Sequence, residues 1–382
     1  MTGDCHIRFR ENERVKFPCV TQLVEIMKRY TTILLAVIVT TSFSCKNDRK
    51  CSEIKKTSEL QKTEIPLHCK DNQKSSKIKK LSEFKETEFI PTLEHEINSK
   101  KNSVYCVALL YAWDEIRKTI SDSLEVSEQD SYLTLLNNSK SFVDVLKSNE
   151  YSASGKINGE LITARAEFSK SLPFEITLQK FKNRLTFCKD KVASFGVNVY
   201  DCAPELLKII KISYYKNDNN FIITLFPKDK EHEIILFKSE KIFNSMNEMN
   251  LEIQKLTKIG NAERRDEKQK WKYYFTNEDE VVIPKFNFDI ETNYPQLEGN
   301  IFETSKQNFQ IIEVWQRTAF ILDENGAKIE SEGVIRITFS IEKPKPKKMV
   351  FDKPFLLLLK RTDAKNPYFG MWTINSELMI KE

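Results

Sequence analysis

"MVFDKPFLLLLKRTD" occupies Met349–Asp363. Its apolar run, Phe355–Leu359, starts behind a proline and stops at Lys360-Arg361, too short for a helix and long enough for a buried strand. "YFGMWTINSEL" follows as a second apolar strand and closes the chain. Just upstream lies "DENGAKIESEGVIRITFSIEKPKP", Asp323–Pro346. Here Ala319–Leu322 runs into Asn325-Gly326, a pair that accepts positive φ and is a strong hairpin signal between apolar segments. Successive side chains of a strand face opposite ways. Ala327, Ile329, Ser331, Gly333, Ile335 and Ile337 therefore share one face, and Lys328, Glu330, Glu332, Val334, Arg336 and Thr338 the other. Two readings follow: a plain hairpin strand fixed in a sheet, or an exposed segment able to enter a sheet as a strand. "EKPKPKK" (342–348) is a proline-stiffened extended connector under either.

Working outward, the C-terminal half reads as strands. "ELLKIIKISYYKNDNNFIITLFPKD" (205–229) is two apolar strands about a Lys-Asn-Asp-Asn-Asn turn, "EHEIILFKSEK" is another strand, and "EDEVVIPKFNFDIET" (278–292) is a strand broken at Pro284. "NFQIIEVWQRTAFILDE" leads into Asn325-Gly326, and "NSMNEMNLEIQKLTKI" has helical spacing. In the N-terminal half, "FKETEFIPTLEHEI", Val104–Ile120 and 131–148 carry apolar residues at helical spacing, and "LPFEITLQKFKNRL" (172–185) reads as a helix opened by its proline. "ELITARAEF" and "VASFGVNVY" read as strands. Helices first and strands afterwards predict an α+β domain with antiparallel sheets.

The bulk numbers exclude several functions. The net charge of +5 is small against 60 basic and 55 acidic side chains, and the signs are interleaved with no basic block of the nucleic-acid-binding kind. The nine glycines form no GxGxxG or GxxxxGK[ST]. The eight cysteines (5, 19, 45, 51, 69, 106, 188, 202) make no CxxC pair and the four histidines are scattered, so neither a metal nor a cofactor is expected. With no GxSxG or HExxH, no enzyme is expected either.

"MKRYTTILLAVIVTTSFSC" runs from Met27 to Cys45, with a basic start and an apolar core too short to span a ~30 Å bilayer. It resembles a bacterial lipoprotein signal, in which the cysteine becomes the lipidated first residue, although Ser42 stands where leucine is usual. The resemblance implies a signal over 27–44 behind an upstream extension (1–26), lipidation at Cys45, and a cell-envelope location on a membrane; ordinary secretion with cleavage near Ser44 is the alternative. Residues 45–83 are rich in Lys, Glu and Ser and read as a flexible tether, in which Cys51 and Cys69 could pair in an oxidising compartment. The folded domain then spans 84–382.

That domain resembles the serpins, the serine protease inhibitor superfamily. "MVFDKPFLLLL" matches the family's C-terminal signature, with Asp352, Lys353, Pro354 and Phe355 at its centre. "NPYFGMW" (366–372), "VVIPKFNFDIET", "KISYYKNDNNFIITLFPKD" and "EVWQRTAFILDENGAK" are similar to family strands, the last being the strand that leads to the reactive loop. The resemblance implies a loop over about 327–345 with Glu324, Gly326, Ala327, Ile329, Ser331 and Gly333 as its hinge, and a scissile region at Phe339, Ser340 and Ile341. The implied partner is a chymotrypsin- or elastase-like protease, engaged by a monomer. The chain departs from the family in a shortened central region: between Val197 and Leu206 a helix, a sheet strand and an NAxYFKGxW motif are missing. Cys106-Val107 replaces a Ser-Pro pair, Gln316 replaces a histidine, and Lys-Ile-Glu-Ser-Glu replaces a hinge of small residues. A non-inhibitory binding or structural protein with 327–338 as a fixed strand is the alternative function.

Overall fold

The computed structural model describes residues 77–127, 130–158, 161–201, 204–325 and 345–382. The chain runs through β1 (Lys79–Lys80), β2 (Thr87–Ile90), β3 (Asn102–Cys106), helix α1 (Ala108–Ile120), β4 (Glu125–Val126) and helix α2 (Ser131–Asn138). Two long hairpins follow, β5 (Tyr151–Asn158) with β6 (Leu161–Phe168), and β7 (Gln179–Phe187) with β8 (Asp190–Asn198). Then come β9 (Ile210–Asn217), β10 (Asn220–Leu225), β11 (His232–Lys238) and helix α3 (Met246–Glu263). The last part holds β12 (Glu280–Pro284), β13 (Phe286–Asn293), β14 (Ile301–Glu303), β15 (Asn308–Gln310), β16 (Trp315–Leu322), β17 (Lys348–Val350), β18 (Phe355–Arg361) and β19 (Phe369–Thr373). The fold is α+β.

A seven-stranded sheet, in the order β2-β3-β19-β18-β11-β10-β9, carries the main core. The apolar run Phe355–Leu359 sits in its middle, and Phe355, Leu356, Leu357 and Leu358 are all fully shielded. Both faces of β18 are covered, which is why that stretch does not alternate. Phe355 meets Phe351 (5.0 Å between ring centroids), Phe187 (6.1 Å) and Phe286 (6.3 Å), tying this sheet to the strands beside it. Helix α3 is capped by Ser245, whose hydroxyl accepts from the Glu248 N–H at 3.2 Å, and it packs on β9. A Cβ on Gly260 would lie 2.1 Å from the Ser213 carbonyl oxygen, so only glycine allows that approach.

A four-stranded sheet, β17-β12-β8-β7, and a three-stranded one, β1-β13-β16, share the β12–β13 corner at Pro284-Lys285. Most pairings are antiparallel, with three parallel exceptions: β1 with β13, β2 with β3, and β12 with β17. The expected strands over 205–238, 278–292 and 349–373 are present, except that the first begins at Ile210 behind the 3-10 turn Pro204–Lys208, and the helix expected over 244–259 runs from Met246 to Glu263.

The N-terminal half corrects four expectations. Residues 172–185 are not a helix; the second half of the span, from Gln179, belongs to β7. Phe174, Leu178, Phe181 and Leu185 are all buried, at spacings of four, three and four, because the chain enters β7 between Leu178 and Phe181; an extended segment joined to a strand thus imitates helical spacing. "FKETEFIPTLEHEI" holds β2 followed by turns, because Pro91 ends the strand and β2 is buried against β3. Val104–Cys106 belongs to β3, so helix α1 starts only at Ala108, and α2 stops at Asn138, well short of 148. Between β8 and β9 the described residues hold only two short 3-10 turns. No helix among the described residues is long and apolar enough to cross a membrane.

Candidate functional site

Residues 326–344 lie outside the described residues, and so do Gly326, Ala327, Ile329, Ser331, Gly333, Phe339, Ser340, Ile341 and the lipidation candidate Cys45. What the structure gives is how both roots of that segment are held.

At the exit root the lysine-rich connector contains one residue that is not solvated. Lys347 Nζ lies 2.7 Å from Asp279 Oδ2, and neither side chain is exposed. The Lys347 N–H donates to Asp279 Oδ1 at 2.7 Å, and the Thr276 N–H and hydroxyl donate to the same carboxylate at 2.8 and 2.7 Å. The Glu280 N–H donates to the Lys347 carbonyl at 3.1 Å, starting the parallel pairing of β12 with β17. The Lys347 ammonium also sits 5.8 Å from the Trp271 ring centroid. A buried ammonium is tolerated only when paired and hydrogen-bonded, so this position has one allowed arrangement.

At the entry root, Glu324 follows the end of β16 and forms an ion pair with Lys285, with both side chains largely buried. The Glu324 carbonyl accepts the Leu178 N–H at 3.0 Å, which fixes the root beside β7. Asp323 turns the chain, its carboxylate accepting the Asn325 N–H at 2.8 Å and the Asn325 side-chain amide at 2.9 Å. Lys285 is itself pinned: its N–H donates to the Ala193 carbonyl at 2.8 Å and its carbonyl accepts from Ile380 at 2.9 Å.

Asp279 and Lys285 flank one strand, β12, so the two roots are fastened to its opposite ends, roughly 20 Å apart at the rise of a strand. The sequence between them could extend about 60 Å. The root spacing thus leaves slack for a projecting loop or for a strand that doubles back. Beside the entry root, β16 is the last strand of its sheet, and its outer edge has no partner among the described residues. Its burial alternates, with Gln316, Thr318, Phe320 and Leu322 inward.

Beneath β16 the structure gathers the replaced positions. Gln316 Nε2 donates to the Thr318 hydroxyl at 2.8 Å, and the Tyr294 hydroxyl donates to Gln316 Oε1 at 3.3 Å. Burial pushes the Cys106 thiol up to about 11 against opposing hydrogen bonds from Ala108 and Thr318, and burial likewise raises Tyr294. This is an uncharged buried network with no activated nucleophile in it.

The signature residues prove to be architectural. Asp352 Oδ1 receives the buried Lys238 ammonium at 2.6 Å, and that ammonium also donates to the Val350 carbonyl at 2.7 Å. Lys353 reaches Asn219 Oδ1 at 3.2 Å, Pro354 precedes β18, and Phe355 fills the aromatic cluster. Of the expected site residues, Glu324 is at a root of the segment. Its partner Lys285 and the Lys347–Asp279 pair were not anticipated from sequence. Lys285 did leave a trace, as the one cation in an otherwise apolar or neutral "VVIPKFNF".

No family model matches the chain, and no curated protein matches it. Among solved structures, it is similar to a serine protease inhibitor (serpin) of Manduca sexta, at 13% identity and a TM-score of 0.32 over 53% of each chain. It is similar to maspin, at 12% identity and a TM-score of 0.33 over 64% of each chain. It is also similar to a serpin from the trematode Schistosoma haematobium, at 11% identity and a TM-score of 0.32, covering 57% of this chain and 58% of that one. The matched part thus amounts to between about half and two-thirds of each of these proteins.

Proposed function

We propose that the chain is a serpin-like protein that offers 327–345 to a protease as a bait loop and thereby inhibits it. The observation that carries this reading is the double fastening: Glu324 to Lys285 and Lys347 to Asp279, at the two ends of β12. A bait must leave a rigid body at two fixed points, and ion pairs shielded from water hold such points better than solvated loop ends do. In this reading the protease's serine attacks a carbonyl near Phe339–Ile341. The peptide bond breaks, the amine leaves with the C-terminal piece, and the N-terminal piece stays as an acyl ester while its strand enters the sheet beside β16. The outer edge of β16, which has no partner among the described residues, supports insertion there.

Thermal denaturation before and after limited proteolysis near Phe339 tests it: a large gain in Tm is expected after cleavage, and no gain would exclude insertion. SDS-stable complexes with chymotrypsin-like or elastase-like proteases are expected as well. Their absence across such a panel favours the second reading, a non-inhibitory scaffold with 327–338 permanently paired, for which the same free edge of β16 speaks.

The N-terminal signal supports a cell-envelope protein held by a lipid on Cys45. Cys45→Ala should then move the protein from the membrane to the soluble fraction, and unchanged retention would refute the anchor.

A further inference from the structure

The entry root of the bait segment is hydrogen-bonded to β7 through the Glu324 carbonyl and the Leu178 N–H, at 3.0 Å. From that point β7 runs as the outer strand of the four-stranded sheet. Lys180 and Lys182 along it are exposed, and so are Lys189 and Lys191 at the turn into β8. None of the four pairs with a carboxylate among the described residues. Asp190, the acid between the last two, is taken by Lys381 at 2.5 Å. Lys353 joins the far end of the row: the carbonyl of its neighbour Asp352 accepts the Cys188 N–H at 3.4 Å, and its own ammonium contacts only the neutral Asn219 side chain. Lysines 118, 147, 241 and 270 are each set against a glutamate or aspartate, while other exposed lysines such as Lys140, Lys208 and Lys258 have no carboxylate partner among the described residues; what sets the β7 lysines apart is their alignment beside the loop root.

We propose that this lysine edge is a docking site for an acidic face of the protease that takes the bait, an inference that rests on the bait reading above. The row begins within about two residues of the loop root and extends roughly 25–30 Å along the strand. That is the breadth of one side of an ordinary protein–protein contact of ~800 Å². A protease holding 327–345 in its cleft therefore overhangs β7, and the four unpaired ammonium groups meet whatever its rim presents. Edge lysines also discourage strand-to-strand aggregation. That role needs no particular position relative to Glu324, whereas a docking role does.

The test compares the full-length protein with a Lys180→Gln, Lys182→Gln, Lys189→Gln, Lys191→Gln variant; all four side chains are exposed, and an unchanged Tm checks the fold. Association rate constants are measured with two chymotrypsin-like proteases of the same primary specificity, one with a net negative surface and one with a net positive surface. At low salt the original protein is expected to react about tenfold or more faster with the acidic protease. The variant should lose that advantage, and added salt should abolish it. Rates indifferent to salt and to the substitutions, or altered equally for both proteases, would overturn the proposal. So would loss of binding to heparin or to single-stranded DNA with no change in protease rates, which assigns the edge to a polyanion. If neither protease engages 327–345 in the original protein, the bait reading itself has failed and the docking edge goes with it. If both engage it without electrostatic preference, only the docking edge has failed.

Discussion

Lys347 and Asp279 meet at 2.7 Å with both side chains fully shielded, where the described chain resumes just before β17. Removing one partner leaves the other charge buried and unpaired, so Lys347→Met should cost roughly 3–5 kcal/mol. Asp279→Asn keeps one oxygen for the Thr276 donors but leaves the Lys347 ammonium buried without its counter-charge, so a comparable loss is expected. Urea denaturation midpoints of the two variants decide it, and small losses in both would mean that water reaches the pair.

The Glu324–Lys285 pair makes a different prediction, because it holds a root and not a core strand. Glu324→Gln should leave Tm within a few degrees and speed cleavage within 326–344 several-fold, of order 1 kcal/mol in local opening. Chymotrypsin digestion with timed sampling reads the rate. An unchanged rate would show that the Leu178 hydrogen bond alone fixes the root.

His232 and Glu150 set an acid limit. His232 is fully buried, with its Nε2 at 3.0 Å from Glu150 and 3.7 Å from Asp229. Burial lowers its pKa below 6.5, aided by the nearby Lys170, while Asp229 and Glu150 oppose the shift. The unfolded chain therefore binds a proton at His232 before the folded one does. Its contribution is intact above 6.5 and is lost as pH falls from there to the lower folded value. For Glu150, burial acts upward but is outweighed by hydrogen bonds from Lys170 and the Lys147 N–H and by Arg361, which hold it down to about 2. Its contribution is lost only between about 4.5 and about 2. Thermal denaturation against pH should show two successive declines, and His232→Gln should remove the upper one alone.

Gly196 lies in β8 at φ +150°, where a Cβ would stand 1.9 Å from the Val281 carbonyl oxygen of β12. Gly196→Ala must push β8 off the strand that fastens both roots. A loss of at least ~2 kcal/mol is expected, together with faster cleavage of 326–344. Stability lost with no change in cleavage would uncouple the sheet from the segment.

The sequence was readable where one local signal was enough. The β9–β10 turn, the break at Pro284 and the unalternating Phe355–Leu359 run each have a chemical cause within a few residues. It misled at β7, where buried Phe174 and Leu178 before the strand and Phe181 and Leu185 within it fall at the spacing of a helix. It was silent about the roots. Lys347 stands among solvated-looking lysines in "EKPKPKK", and only tertiary pairing with Asp279, far away in sequence, marks it as buried. Glu324 entered only through the resemblance, as part of the loop hinge, and nothing local in the sequence pointed to its pairing with Lys285. Lys285 showed only as the one cation in "VVIPKFNF", which does not name its partner.

The placement of β18 and β19 has a further consequence. They sit inside the seven-stranded sheet, with β11 on one side and β3 on the other. A backbone cut between 326 and 344 would make two polypeptides, but the smaller would keep its ladder to β11 and β3 and its salt link to Asp279. The nicked molecule should elute from a sizing column as one particle of unchanged mass and come apart only in denaturant. Its two halves would be subunits of a heterodimer that began as a single gene product.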